Sequence, residues 1–217
     1  MLNEFSRTAL LLGQEGMETL SQVSIAVFGL GEVGSACVEA LARSGVGHLL
    51  LVDGSRFEAV DGALTSSCET LGMLKAEAAA ARVKDIHPKG RTEICIEWEE
   101  NFPDLKGFAY VVDTLEPEDQ KQQVIKKAFE AGIPVLSCLE VRNRLDATQL
   151  QVGDISKSGA EMEGFRRALR FAGIKKLKAI FSAEKMGTVP MSMPFVPEAA
   201  GLIAAGEVIK DLLKKST

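Results

Sequence analysis

A chain of 217 residues, 46% hydrophobic and 25% charged, has the length and composition of one large soluble α/β domain with a sizeable core. Its formal charge of −5 excludes a global attraction to nucleic acid, so any RNA contact must come from a local basic patch. There is no basic-then-apolar signal segment at the N-terminus, and no apolar run approaches the ~18 residues that span a bilayer. A cytoplasmic protein without membrane association is expected.

Residues 1–22 read as an amphipathic helical arm, with Leu10, Leu11, Leu12, Met17 and Leu20 apolar and Arg7 near the free end. Such an arm can pack on its own domain or reach a neighbouring subunit. The stretch from Val23 to Asp53 organises the chain: a strand (Val23 to Phe28), the turn Gly29-Leu30-Gly31-Glu32-Val33-Gly34, a helix to about Ser44, and a strand (His48 to Val52) ending on an acid. Gly29 permits a tight turn, Gly31 lets backbone approach a ligand phosphate, and Gly34 lets helix and strand pack closely. The helix N-terminus then offers free N–H groups and its positive dipole end to that phosphate. Asp53, 24 positions after Gly29, is placed to accept from ribose hydroxyls.

A polar loop (Gly54 to Thr70) leads to an Ala-rich helix from about Met73 to Asp85, stopped by His87-Pro88-Lys89-Gly90. Thr92 to Glu97 alternates as a strand, and Tyr110 to Val112 is a short buried strand ending at Asp113. Asp119 to Ala131 is a helix, and Pro134 to Leu139 the next strand. Strands alternating with helices of this length specify a doubly wound, mostly parallel, Rossmann-like sheet whose ligand lies beyond the carboxyl ends of its strands. Asp53, Asp113 and the loop after Cys138 should therefore share one cleft.

Beyond Leu139 the rhythm changes. Gln149 to Ile155 reads as a strand of the antiparallel kind, Glu161 to Ala172 as a helix, Ile180 to Ser182 as a strand, Gly187 to Pro197 as a loop, and Glu198 to Lys215 as a closing helix. Arg166, Arg167, Arg170, Lys175, Lys176 and Lys178 form the one basic concentration, either a solvated face or a phosphate-backbone contact. Cys37, Cys68, Cys95 and Cys138 form no CxxC pair, which is against a zinc framework or a disulfide scaffold. Cys37 and Cys95 read as core residues, and Cys68, in a polar loop beside the expected nucleotide, as the one candidate for reactivity.

The motifs GLGEVGS, EALARSGVGHLLLVD, LGMLKAEAAAARVKDIHP, YVVDTLE, DATQLQVGDISKS, FSAEK and PFVPEAAG occur in an order that resembles the ThiF/MoeB/HesA family, the bacterial adenylating relatives of ubiquitin-activating enzymes. Within it the chain is most similar to the branch that acts on a threonylcarbamoyl-modified tRNA adenosine. The resemblance implies a single ThiF-type domain over 1–217, with an N-terminal arm (1–22), a nucleotide-binding half (23–139) and a substrate and dimer half (140–217). It also implies ATP and Mg²⁺ as cofactors, attack of a substrate oxygen on the α-phosphate, and a homodimer. The acceptor would be tRNA or a small ubiquitin-like or sulfur-carrier protein. Gly29, Gly31 and Gly34 match the family's phosphate cradle, Asp53 its ribose acid and Lys75 its phosphate lysine. Glu116 matches the Mg²⁺ acid with Asp113 three residues before it, and Arg7 matches the arginine carried into the neighbour's site.

The chain also departs from that pattern. Ser55 stands where the family has a second acid. The family's loop Asn and Arg-Gln fall on Asp61 and Leu64-Thr65 counting from Asp53, or on Ala59 and Gly62-Ala63 counting back from Lys75. Neither register restores the arginine; Arg56 is the candidate to reach the same phosphate from a different backbone position. The glycine-rich segment after the strand near Ser137 becomes Leu139 to Arg144, with two arginines that either fill substrate space or restore charge. Two other readings stay open: a member that binds nucleotide or partner without turnover, and an NAD-dependent oxidoreductase.

Overall fold

The computed structural model describes residues 3–63, 65–139, 141–185 and 193–214. Leu64, Glu140, the Gly187 to Ser192 part of the expected loop, and Lys215 lie outside them. Seven strands form one sheet: β1 (Ser24–Phe28), β2 (His48–Val52), β3 (Arg91–Cys95), β4 (Tyr110–Asp113), β5 (Val135–Cys138), β6 (Leu150–Asp154) and β7 (Lys178–Ser182). Their order is β3-β2-β1-β4-β5-β7-β6, with every neighbouring pair parallel except β6 and β7. The helices are α1 (Ser6–Gln22), α2 (Glu32–Arg43), α3 (Lys75–Ile86), α4 (Glu118–Glu130), α5 (Glu163–Phe171) and α6 (Phe195–Lys214).

Central strands read as continuous apolar runs because both faces are covered. In β1, Ile25 and Val27 pack with Cys37, Leu41, Ala204 and Val208 under α2 and α6, while Ala26 and Phe28 pack with Trp98, Val124 and Ala128 under α4. A third cluster joins α5, through Phe165 and Leu169, to Phe181 of β7. β3 is an edge strand, so Cys95 is half-buried rather than in the core; Cys37 and Cys138 are buried, and Cys68 is exposed. Burial pushes up the Cys37 thiol, and brings that of Cys138 to about 12.

Gly201 sets the α2 and α6 crossing: a Cβ there would lie 2.2 Å from the Val33 carbonyl oxygen. The closing helix starts at Phe195, earlier than expected, because Pro197 falls in its first turn, where no intrahelical N–H partner is lost. The helix expected over Glu161 to Ala172 begins with a single 3₁₀ turn (Ala160–Met162). α1 kinks at Gly13 (φ 72°). Its second half rests on its own domain through buried Gly16 and Leu20, and the Phe5 ring meets His87 edge-on at 4.7 Å. Arg7, Leu10 and Leu11 are exposed.

Two of the six basic residues are structural. Arg166 is buried and donates to the Ser158 carbonyl (2.7 Å), the Ser158 hydroxyl (2.9 Å) and the Gly159 carbonyl (2.8 Å). Lys178 pairs with Glu207 and Asp211 of α6 at 2.8 and 2.7 Å. Arg167, Arg170, Lys175 and Lys176 remain exposed.

Candidate nucleotide site

The sheet's connections diverge at β1: the chain continues to β2 on one side, and β4 lies on the other. A crevice opens at such a switch point beyond the carboxyl ends of the strands. The Gly29 to Gly34 turn fills its floor. Gly29 has φ +86°, which disfavours any side chain, and a Cβ on Gly34 would lie 1.9 Å from the Gly29 carbonyl oxygen. A Cβ on Gly31 would meet nothing within 4 Å, so this glycine leaves open space before the first turn of α2. No side chain caps that helix, and its leading N–H groups can serve an anion. The Thr114 hydroxyl, from the end of β4, donates to the Gly29 carbonyl at 2.8 Å and fastens the turn to the next strand.

Asp53 braces the turn from the other side. Its Oδ2 accepts from Leu30 N–H at 2.7 Å, and its Oδ1 takes both the Ser55 N–H (2.7 Å) and hydroxyl (2.6 Å). Ser55, the residue in place of a second acid, thus saturates one carboxylate oxygen. Oδ2 keeps a lone pair for a ribose hydroxyl.

The open cleft is lined by residues including Gly31, Glu32, Glu116, Leu139 and Arg142. Charged groups around it come in pairs. Lys75, the first residue of α3, donates to Asp61 Oδ1 at 2.8 Å with its ammonium 5.6 Å from the Phe57 ring centroid. It is therefore not an exposed helix lysine, and the count from Asp53 is the one that puts a loop residue beside it. Burial alone would raise the Asp61 carboxyl, but Glu58 N–H and Lys75 more than offset this, and it falls below its usual range. Glu116 pairs with Arg142 at 2.8 Å.

Two expected residues are placed differently. Asp113 is fully buried: Lys121 Nζ donates to it at 3.0 Å and to the Cys138 carbonyl at 2.6 Å, and the Ser137 hydroxyl donates to the same carboxylate at 2.5 Å. It holds β4, β5 and α4 together beneath the cleft instead of facing a nucleotide. Arg56 donates to the Gly72 carbonyl at 2.8 Å, bracing the loop. Arg7 sits on the exposed half of α1.

Glu32 was not singled out by the sequence pattern, although it is the first residue of α2 and lies inside the glycine turn. Its carboxyl comes so near Gly62 that a Cβ there would clash with it. Desolvation raises its pKa, Glu116 and Asp61 reinforce the rise, and Arg142 and Lys75 oppose it. Among the described residues no group of three or more His, Cys, Asp or Glu could hold a metal. The single exposed carboxylate of Glu116 suits Mg²⁺, which binds through one or two carboxylates plus nucleotide phosphates.

The ThiF family matches residues 5–217. The tRNA threonylcarbamoyladenosine dehydratase of Bacillus subtilis is 37% identical over 99% of this chain and 96% of that protein. Their alignment of 248 positions exceeds the 217 residues here, so stretches of that relative have no counterpart in this chain. The Haemophilus influenzae protein of the same name is 34% identical over 66% of this chain but 58% of its own length. In fold, the chain is similar to the Escherichia coli tRNA N6-threonylcarbamoyladenosine dehydratase solved with ATP: TM-score 0.90 and 24% identity over 98% of this chain and 94% of that one.

Proposed function

The chain belongs to the ThiF family, and on that footing we propose that it is an ATP-dependent adenylating enzyme acting on a threonylcarbamoyl-modified adenosine of tRNA. The observation that carries this reading is the uncapped N-terminus of α2, opened by Gly31 within the cleft at the switch point. A threonylcarbamoyl group bears a carboxylate. Its oxygen bonds to the α-phosphorus as the bond to pyrophosphate breaks, and the acyl adenylate then cyclises, expelling AMP, so that one water is lost overall. The α2 amides and Lys75 hold phosphate, and Asp53 orients ribose. Glu116 would hold Mg²⁺, which supplies charge neutralisation on the phosphates. Residues 23–139 carry the nucleotide in this reading, and residues 140–217 the acceptor and dimer contacts.

We further assign a homodimer, in which the exposed half of α1 beyond Gly13 carries Arg7 towards the partner's nucleotide. A small carrier protein is the other acceptor of this chemistry, and a cytoplasmic location fits a tRNA substrate. No helix among the described residues is long and apolar enough to cross a membrane. Neither histidine supports the oxidoreductase reading: His48 starts β2, at the end opposite the cleft, and His87 packs behind α3 on Phe5.

ATP–pyrophosphate exchange and AMP release with threonylcarbamoyl-modified tRNA test the reading. Both are expected above background. A second reading, nucleotide binding without turnover, is favoured by the pairing of Lys75, Arg142 and Lys121 with acids, and it predicts ATP binding with neither activity.

Glu32 places a negative charge where phosphate would lie. Glu32→Gln is expected to tighten ATP binding several-fold near pH 8, by removing repulsion. The advantage narrows as the pH falls, because desolvation raises the wild-type carboxyl's pKa and lets it take up a proton sooner than an ordinary glutamate would. Calorimetry of both proteins over that fall is the measurement, and a constant ratio is the contrary result.

A further inference from the structure

Arg142 reaches the nucleotide cleft from the segment after β5. Its guanidinium meets Glu116 Oε2 at 2.8 Å, lies close enough to the Glu32 carboxyl to favour its charged form, and lines the cleft with Gly31. It thus stands between the N-terminus of α2 and the loop after β4. We propose that Arg142 is a second phosphate-binding cation of this site beside Lys75, held on Glu116 in the free protein and turned to the nucleotide phosphate when Glu116 is engaged by Mg²⁺. The proposal rests on the nucleotide reading above and names a residue for the charge that the β2–α3 loop lacks.

The other cations are held elsewhere. Lys121 is buried on Asp113 and the Cys138 carbonyl, Arg56 is spent on the Gly72 carbonyl, and Arg144 is 2% exposed. Asn143, in the left-handed region at φ 59°, separates Arg142 at the cleft from its buried neighbour Arg144. Lys75 is paired with Asp61, and both lie near enough to Glu32 to act on its carboxyl. Arg142 has a side chain 44% exposed on a long stem, and its contact with Glu116 joins two partly solvated groups, a type of pair worth little in itself. A phosphate offers the planar guanidinium two parallel hydrogen bonds. Glu116 would hold Mg²⁺, whose charge would compensate the carboxylate once Arg142 turns to the phosphate.

ATP titration by calorimetry, with and without Mg²⁺, into wild type, Arg142→Gln, Glu116→Gln and the double variant separates the outcomes. With Mg²⁺, Arg142→Gln is expected to weaken binding roughly 10- to 100-fold, as for one charged phosphate contact. Without Mg²⁺, Glu116→Gln is expected to tighten binding several-fold, a gain that shrinks to under about twofold once Arg142 is also replaced. Unchanged affinity in Arg142→Gln overturns the proposal, and so does tighter binding, which would make the residue a plug. Four proteins of native melting behaviour that all fail to bind ATP would remove the nucleotide reading and this proposal together. Wild-type binding with an inert Arg142 removes this proposal alone.

Discussion

Replacing Lys121 with Met is expected to destabilise the fold by about 3–5 kcal/mol, the cost of stranding a buried carboxylate. The side chains of Lys121 and Asp113 are 5% and 0% exposed. Without the ammonium, Asp113 keeps only neutral donors, the Ser137 hydroxyl and Leu115 N–H. At about 2–4 °C per kcal/mol for a domain of this size, the melting midpoint should fall by roughly 10 °C. Asp113→Asn combined with Lys121→Met removes both charges and should recover most of the loss, because a neutral amide can be satisfied where an unpaired carboxylate cannot. Urea unfolding of the three proteins measures this. A single-variant loss below about 1 kcal/mol would show that the pair does not clamp β4, β5 and α4.

The second large effect falls on binding. Lys75→Ala is expected to weaken ATP by about 10- to 150-fold, equivalent to about 1.5–3 kcal/mol for a hydrogen bond to a charged group. The melting temperature should scarcely change, since Asp61 still accepts from Glu58 N–H at 2.6 Å. Lys75→Arg keeps the charge and should retain part of the affinity. Equal ATP affinity in Lys75→Ala and wild type would mean that Lys75 serves only to hold Asp61.

The strand–turn–helix–strand unit from residue 23 to 53 was legible because its signals are local: β-branched runs, glycines at fixed spacing and an acid closing the next strand. The family likeness pointed to Lys75 and Glu116, both of which lie near Glu32 at the turn. What was hidden depends on the path of the chain between elements. Asp113 ends a strand at the cleft, as expected, but its direction is set by Lys121, eight residues on and one helical turn into α4. Arg166 looks like any member of a basic run, and only the carbonyls of Ser158 and Gly159 folding back beneath α5 explain its burial. Glu32 escaped notice because the turn is recognised by its glycines, whereas its charge matters through Asp61 and Glu116, which come from distant loops. The contrast between Arg142 and Arg144 likewise follows the backbone at Asn143, which no periodicity reports.

The unequal surroundings of the four thiols make the native chain ready for site-selective labelling. Cys37 and Cys138 are buried, with thiols held far from ionisation, and Cys95 is half-buried with its pKa raised by desolvation, so a maleimide at neutral pH will favour exposed Cys68. That residue lies in the same β2–α3 connection as Asp61, Lys75's partner. A fluorophore attached there would report on that connection without any engineered cysteine, giving the loop an optical handle of its own.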